Sequence, residues 1–241
     1  MLDLIGSIVG MSTIGIVLVA FTQALPGTPA RRVTLAAIAG GWVGLASALA
    51  AAGKLAFAPE NPVPLVGILF ALPLLVVGIL ALSSEKTRAA LLAVPMQVLI
   101  GVNSLRLLGV LFLALAAVGR LSGPFPYFAG IGDIITGALA IPLALNVARS
   151  GQLPPARVVR RWNIFGALDL VVAVGLGIAS AGGSPVQLIH AGAGSEAMQY
   201  LPYSLVPTVL VPFYLITHGI VAAQLAAAGR VRGALPHPAA T

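Results

Sequence analysis

Four ionisable side chains lie inside long apolar runs of this sequence, and their types and positions are the ones that could do chemistry. They are Arg106, Asp133, Asp169 and His218. An ionisable group is costly in hydrocarbon, so such a group usually faces the interior of a helical bundle and has a partner there. We therefore expect any functional site to be built around these four residues.

Arg106 and Asp133 are expected to form a buried pair. Arg106 lies 14 residues before Arg120, which marks a hairpin, and Asp133 lies 13 residues after it. Two antiparallel helices that leave one hairpin rise equally per residue, so both side chains reach a similar depth. Asn103 lies three positions before Arg106 and shares its helix face.

Asp169 and His218 are expected to form a second pair, closer to the opposite face of the bundle. Asp169 follows the cation Arg161 by 8 residues, and His218 precedes the cation Arg230 by 12 residues. The difference of four residues is about 6 Å of helix, which lies within the error of the helix ends. Tyr214 lies one turn before His218 on the same face and joins the candidate site.

The composition determines what kind of elements must position these residues. Hydrophobic residues make up 59% of the 241 positions and charged residues only 8%, whereas a soluble domain has roughly 25% charged residues. A transmembrane helix takes about 20 residues, so we predict an all-α polytopic membrane protein, a single domain over residues 1–241 with seven helices. Their expected ranges are 4–25, 33–53, 63–83, 90–118, 125–148, 162–181 and 203–228.

The cations predict the orientation of the bundle. Ten Lys and Arg residues fall on one side of the predicted helices and only Lys54 and Arg120 on the other. Short loops rich in Lys and Arg stay cytoplasmic. This predicts an N-terminus outside, a C-terminus in the cytoplasm and the inner membrane of a bacterium as the location. It also explains the net charge of +7 without nucleic acid as a partner.

Other features of the helices add weaker expectations. Pro207 and Pro212 remove backbone donors inside the last helix and should kink it. Small residues repeat every four positions in the second helix, which favours close helix packing within the chain or, alternatively, a homodimer. Amphipathic aromatic residues are expected at the membrane interfaces, namely Trp162, Tyr127, Tyr200 and Tyr203.

Several functional classes are disfavoured by the residues present. A retinal protein needs a lysine deep in a helix, but Lys54 and Lys86 both lie at loop ends. A zinc hydrolase of the ceramidase type needs several intramembrane histidines. Only His218 meets that condition, since His190 and His237 lie outside the predicted helices. The absence of cysteine excludes thiolate metal sites and cysteine nucleophiles.

Three functions remain open. The first is binding or transport of a small polar solute, an ion or protons, through Asn103, Arg106, Asp133, Asp169, Tyr214 and His218. The second is a haem protein, with His218 as an axial ligand and His190 as a candidate second one; a related alternative is a lipid-acting enzyme with His218 as base and Asp169 orienting it. The third is a structural or sensor protein without chemistry.

Overall fold

The structure, a computed structural model, is a bundle of seven long helices. It describes residues 1–58, 61 and 65–234, with backbone only from residue 230 onward. The helices are α1 (Leu2–Ala24), α2 (Pro29–Ala51), α3 (Val66–Ser83), α4 (Met96–Ala117), α5 (Phe125–Ser150), α6 (Ala156–Ala179) and α7, which starts with Val206–Leu210 and continues as Val211–Ala234. No β-strand occurs in the described residues.

All seven helices are long and apolar enough to cross a membrane, with mean hydropathies of 1.7 to 2.6 over their most apolar stretches. Their outward faces are apolar as well. On α3, for example, Leu75, Ile79 and Leu82 are all more than half exposed. A helix on the surface of a soluble protein has polar residues on that face. The fold is therefore compatible with a membrane-embedded bundle, as the composition predicts.

The starts of two helices differ by six residues from those expected, the largest differences in the bundle. Pro95 separates a short helix, Glu85–Leu92, from α4, so α4 starts at Met96 rather than at residue 90. α6 starts at Ala156 rather than at residue 162, and its first turns contain three arginines. Hydropathy marks the apolar stretch alone, whereas a helix continues through charged residues until its backbone is interrupted. The start of the third predicted helix, residues 63 and 64, lies outside the described residues, as does His237.

α7 and α4 form the centre of the bundle. Their apolar stretches are 61% and 44% buried, against 6% to 33% for the other five helices. α5 lies along α4, and α6 packs against both α5 and α7. The candidate residues lie on these four helices, and the architecture therefore surrounds the site with the best packed part of the fold.

α7 is irregular at its start, where Val206–Leu210 forms a π-helical turn. Pro212 has no N–H, so it cannot donate to the carbonyl of Thr208 one turn earlier. The indole Nε1 of Trp42 on α2 donates to this carbonyl instead, at 3.0 Å. A side chain from another helix thus satisfies the acceptor that the proline leaves free, as a lipid environment requires.

Two aromatic residues that were expected to face a membrane interface are buried instead. Trp162 is 4% exposed and its Nε1 donates to Thr136 O at 3.1 Å. Tyr203 is also 4% exposed, and its hydroxyl donates to Leu2 O at 3.0 Å. Both polar tips find partners within the protein. Tyr127 and Tyr200 are exposed.

The Trp42–Thr208 contact gives a test of this packing. Trp42→Phe removes the donor and leaves the Thr208 carbonyl unsatisfied, which should lower the free energy of unfolding by about 1–3 kcal/mol. In a Pro212→Ala background the same change should cost less, because the alanine backbone supplies an N–H to that carbonyl. Unfolding in mixed detergent micelles measures all four proteins of the cycle. Equal costs in the two backgrounds would show that the carbonyl is not the reason for the contact.

Candidate functional site

Arg106 is the centre of the candidate site. It lies on the part of α4 that is wound as a tighter 3₁₀-helix, Val102–Gly109, and it is 1% exposed. Its Nε donates to Asp133 Oδ1 on α5 at 2.6 Å, and its Nη2 donates to Asp169 Oδ2 on α6 at 2.5 Å. One guanidinium therefore binds two carboxyl groups from two different helices.

His218 of α7 is a further hydrogen-bond partner of Arg106. The Nη1 of Arg106 contacts His218 Nε2 at 3.1 Å and donates to Gly166 O at 3.0 Å. The other ring nitrogen, Nδ1, lies 2.8 Å from Asn163 Oδ1, and the amide nitrogen of Asn163 donates to His218 O at 3.1 Å. Because the amide oxygen must accept, Nδ1 carries the ring hydrogen, and the Nε2 lone pair accepts from Arg106.

The charges of this Arg106 network do not balance. Two carboxyl groups, Asp133 and Asp169, share one guanidinium, and His218 is placed as a neutral acceptor. With both carboxyl groups ionised, the network carries one negative charge in excess. Uncompensated charge is expensive away from water. One proton or one monovalent cation would neutralise the network, so the arrangement can bind one positive charge.

Glycines allow the four helices to approach closely enough for these contacts. A Cβ at Gly166 would lie 2.7 Å from His218 Cε1 and 2.8 Å from Thr136 Cγ2, and a Cβ at Gly132 would overlap the carboxylate of Asp169. Both distances are shorter than van der Waals contact allows. The small residues on α5 and α6 thus determine where the ionisable groups can meet.

The structure brings the four ionisable residues into one network instead of two pairs. Arg106 and Asp133 lie together, as the hairpin spacing predicts. The prediction that Asp169 pairs with His218 is wrong. Within the described residues, the side chain of Asp169 is bound by Arg106, and that of His218 is bound by Arg106 and Asn163. The long Arg106 side chain, with five N–H groups in a planar fork, reaches both of them.

Asn103 and Tyr214 lie beside the network without joining its hydrogen bonds. Asn103 is completely buried, and its amide donates to Leu99 O at 2.9 Å and Thr217 Oγ1 at 3.3 Å. The ring centroid of Tyr214 is 5.8 Å from the guanidinium carbon of Arg106. Within the described residues, neither the Tyr214 hydroxyl nor Asn103 Oδ1 has a hydrogen-bond partner.

A small cavity adjoins this side of the network. Its volume is about 30 Å³ and its lining includes Arg106, Asp133 and Tyr214. A cavity needs roughly 10–15 Å³ to hold a water that has polar partners, and three residues with polar groups, Arg106, Asp133 and Tyr214, line this one. The cavity is therefore large enough for a water next to Asp133.

Asn163 and Gly166 belong to the site but were not among the predicted site residues. The signal was present in the sequence, because Asn163, Gly166 and Asp169 are spaced by three positions and so share one face of a helix. Gln224 was also missed: its amide donates to Leu92 O and Val94 O, the carbonyls next to the break at Pro95. Only the fold shows that contact.

The residues around His218 do not fit a haem. Both ring nitrogens are engaged, the ring packs against Trp162 at 5.3 Å between centroids, and His190 is exposed on the loop after α6. The adjoining cavity of about 30 Å³ is far below the roughly 300 Å³ of small cofactor sites. A His218 base oriented by Asp169 is not formed either. No cluster of three metal-ligating side chains occurs in the described residues.

The fold and the site together define a class of protein: a bundle of seven helices long and apolar enough to cross a membrane, built around a buried polar network of Arg106 and His218. The chain belongs to the family described as Domain of unknown function (DUF8737), whose model matches residues 63–226. The matched region contains all four residues of the network. No curated protein and no solved structure matches the chain.

Gly166 provides a test of the close helix approach. Gly166→Ala would press a methyl group against His218 and Thr136, and such overpacking should lower stability by about 1–3 kcal/mol. Gly175→Ala on the same helix is the matched control, since its Cβ would have no neighbour within 4 Å. Thermal unfolding in detergent should show a lower midpoint for the first variant only. Equal midpoints would mean that α6 does not approach α7 closely at Gly166.

Proposed function

We propose that the protein is a membrane carrier that binds and moves a small polar solute or an ion, and that the Arg106 network is its proton-binding site. The observation that carries this proposal is the sharing of one guanidinium by two carboxyl groups. A network intended only to join helices would be neutral with a single Arg–Asp pair. The second carboxyl group adds a negative charge that one proton or one monovalent cation would neutralise.

The proton would reside on Asp133 or Asp169. His218 is a poor acceptor for it, because a proton on Nε2 would face the Nη1 donor of Arg106 at 3.1 Å. Each carboxyl group uses one oxygen for Arg106, and the other oxygen is free to hold the proton. The network would then alternate between a neutral, proton-bound state and a charged state that requires a different cation.

Two helices at the site, α4 and α7, have backbone irregularities of the kind found in membrane carriers. α4 is wound as a 3₁₀-helix over Val102–Gly109 next to Arg106, and α7 contains a π-helical turn and Pro212 before His218. Mid-helix segments of this kind often mark hinges or functional sites. In transporters, broken helices surround the binding site near the middle of the membrane. These irregularities support movement of α4 and α7 around the network.

The proposal includes the orientation that the cations predict, with the N-terminus outside and the C-terminus in the cytoplasm of a bacterial cell. The natural chain has no cysteine, so single cysteines can be introduced without background. Val186→Cys in the loop after α6 should react with a membrane-impermeant maleimide in intact cells. Ser150→Cys at the end of α5 should react only after permeabilisation. Both positions are exposed in the bundle, and the opposite labelling pattern would reverse the orientation.

Charge movement on a pH step tests the proton-binding site. Proteoliposomes adsorbed on a solid-supported membrane should give a transient current when the pH is lowered, because a proton enters the membrane field to reach the network. Asp133→Asn and Asp169→Asn should each reduce this current, since each removes a group that can hold the proton. Asp3→Asn is the matched control: Asp3 also pairs with an arginine, Arg120, but both are exposed at the end of the bundle.

Two results would contradict the proposal. The first is a wild-type protein that gives no current at any pH step. The second is full current in both network variants while they remain monodisperse and helical. In either case the Arg106 network would only hold α4, α5, α6 and α7 together, and the structural alternative would stand.

A further inference from the structure

A groove between α5 and α6 opens on the outer surface of the bundle. Its volume is about 420 Å³, which lies in the range of small-ligand sites. Its opening lies beside Asp169, near the middle of α6, at a depth where a membrane protein faces acyl chains. The lining residues are Tyr127, Phe128, Ile131, Gly132, Ile135, Phe165, Leu168, Asp169 and Val172.

Asp169 is the only acidic residue among the described residues that line this groove, which we call the Asp169 groove. Its side chain is 8% exposed, and its Oδ2 accepts from Arg106. Its Oδ1 lies over Gly132, where a Cβ would overlap it, and accepts no side-chain hydrogen bond within the described residues. A carboxylate oxygen without a side-chain partner in the described residues thus lies against Gly132, and Gly132 and Asp169 both line this otherwise apolar groove.

The walls of the groove suit an apolar body with a positive charge. Phe128 and Leu168 are 60% and 58% exposed, and Tyr127 and Phe165 add two further aromatic rings. Aromatic faces attract cations, and the exposed apolar side chains offer contact to a hydrocarbon group. A molecule dissolved in the bilayer can reach this opening without passing through water.

The charges around Asp169 determine which charge a ligand of the groove should have. Arg106 from α4, Asp133 from α5 and neutral His218 from α7 face it. Counted together with an ionised Asp169, these groups leave one negative charge in excess. An anion would increase that excess, and a neutral alcohol would leave it unchanged. An ammonium ion would neutralise it and also donate an N–H to the free Oδ1.

We propose that the Asp169 groove binds hydrophobic ammonium ions from the bilayer, in exchange for the proton of the Arg106 network. This names the ion of the proposed carrier, so it depends on the proposed function. The exchange is balanced in charge, because one ammonium ion enters and one proton leaves. Asp169 is the counter-ion, and Gly132 provides the space in which its carboxylate meets the ligand.

Three probes of one shape test the charge preference. The full chain in phosphatidylcholine nanodiscs is titrated with 1-adamantylamine, 1-adamantanol and adamantane-1-carboxylate, and binding to empty nanodiscs is subtracted. The amine should bind saturably and at least about tenfold more tightly than the alcohol, since a buried charged partner contributes more than a neutral one. The carboxylate should not bind. Equal affinities for amine and alcohol would overturn the proposal.

Variants of the groove locate the site. Asp169→Asn should reduce the affinity for the amine to that for the alcohol, and Gly132→Ala should do the same by displacing the carboxylate. Leu168→Trp fills the groove without touching the network and should weaken both probes. Val171→Ala is the control, because Val171 is 57% exposed on the same helix but does not line the groove. If Leu168→Trp leaves amine binding unchanged, the amine binds elsewhere.

A proton measurement separates this inference from the proposed function. In weakly buffered solution, saturation with the amine should release one proton per protein chain. If the pH-step current is present but the amine shows no preference over the alcohol, the groove inference fails and the proton-binding carrier remains. If the amine binds through Asp169 and neither proton release nor the current is seen, the carrier proposal and the proton exchange both fail, and only the cation site of the groove remains.

The groove could instead be covered by a second copy of the chain, which gives another decisive result. Leu168→Trp would then convert a dimer into a monomer in nanodiscs, and the wild-type dimer would not bind the amine. That combination would overturn the proposal. A wild-type chain that binds the amine with an unchanged oligomeric state supports it.

Discussion

The burial of one guanidinium group imposes the main constraint on this fold. Arg106 is 1% exposed in a bundle that is apolar inside and outside. Such a charge is tolerated only where opposite charges and acceptors surround it. The acceptors come from Asp133 on α5, from Gly166 and Asp169 on α6 and from His218 on α7. Four helices must therefore meet at one point, and glycines make that approach possible.

The irregular backbone of the central helices is compensated by side chains from elsewhere in the bundle. Trp42 satisfies the Thr208 carbonyl that Pro212 leaves free, and Gln224 satisfies carbonyls beside the break at Pro95. Asn103, at the start of the 3₁₀ region of α4, donates back to Leu99 O in the preceding α-helical turn and across to Thr217 Oγ1. Hydrocarbon offers no hydrogen bonds, so each departure from regular helix in such a bundle needs a partner of this kind.

The two carboxyl groups of the network have different surroundings although they share one guanidinium. Asp133 lines the small cavity inside the bundle together with Tyr214, whose hydroxyl has no hydrogen-bond partner among the described residues. Asp169 lines the groove on the outer surface, next to Gly132. Arg106 lies between these two spaces and binds both groups. A change of charge at one carboxyl group therefore affects the other carboxyl group electrostatically, through the single side chain of Arg106.

The sequence by itself determined the all-helical architecture of seven long apolar helices, because a chain with 8% charged residues and seven apolar runs cannot cover a soluble surface. It also placed Asp133 level with Arg106, because distance along two helices from a hairpin measures depth. Tertiary structure alone decided that Asp169 and His218 both bind Arg106 instead of each other. Depth does not specify how a helix is rotated, and apolar residues on all faces of a membrane helix conceal that rotation. The Trp42–Thr208 bond was hidden for a related reason: its two residues are 166 positions apart.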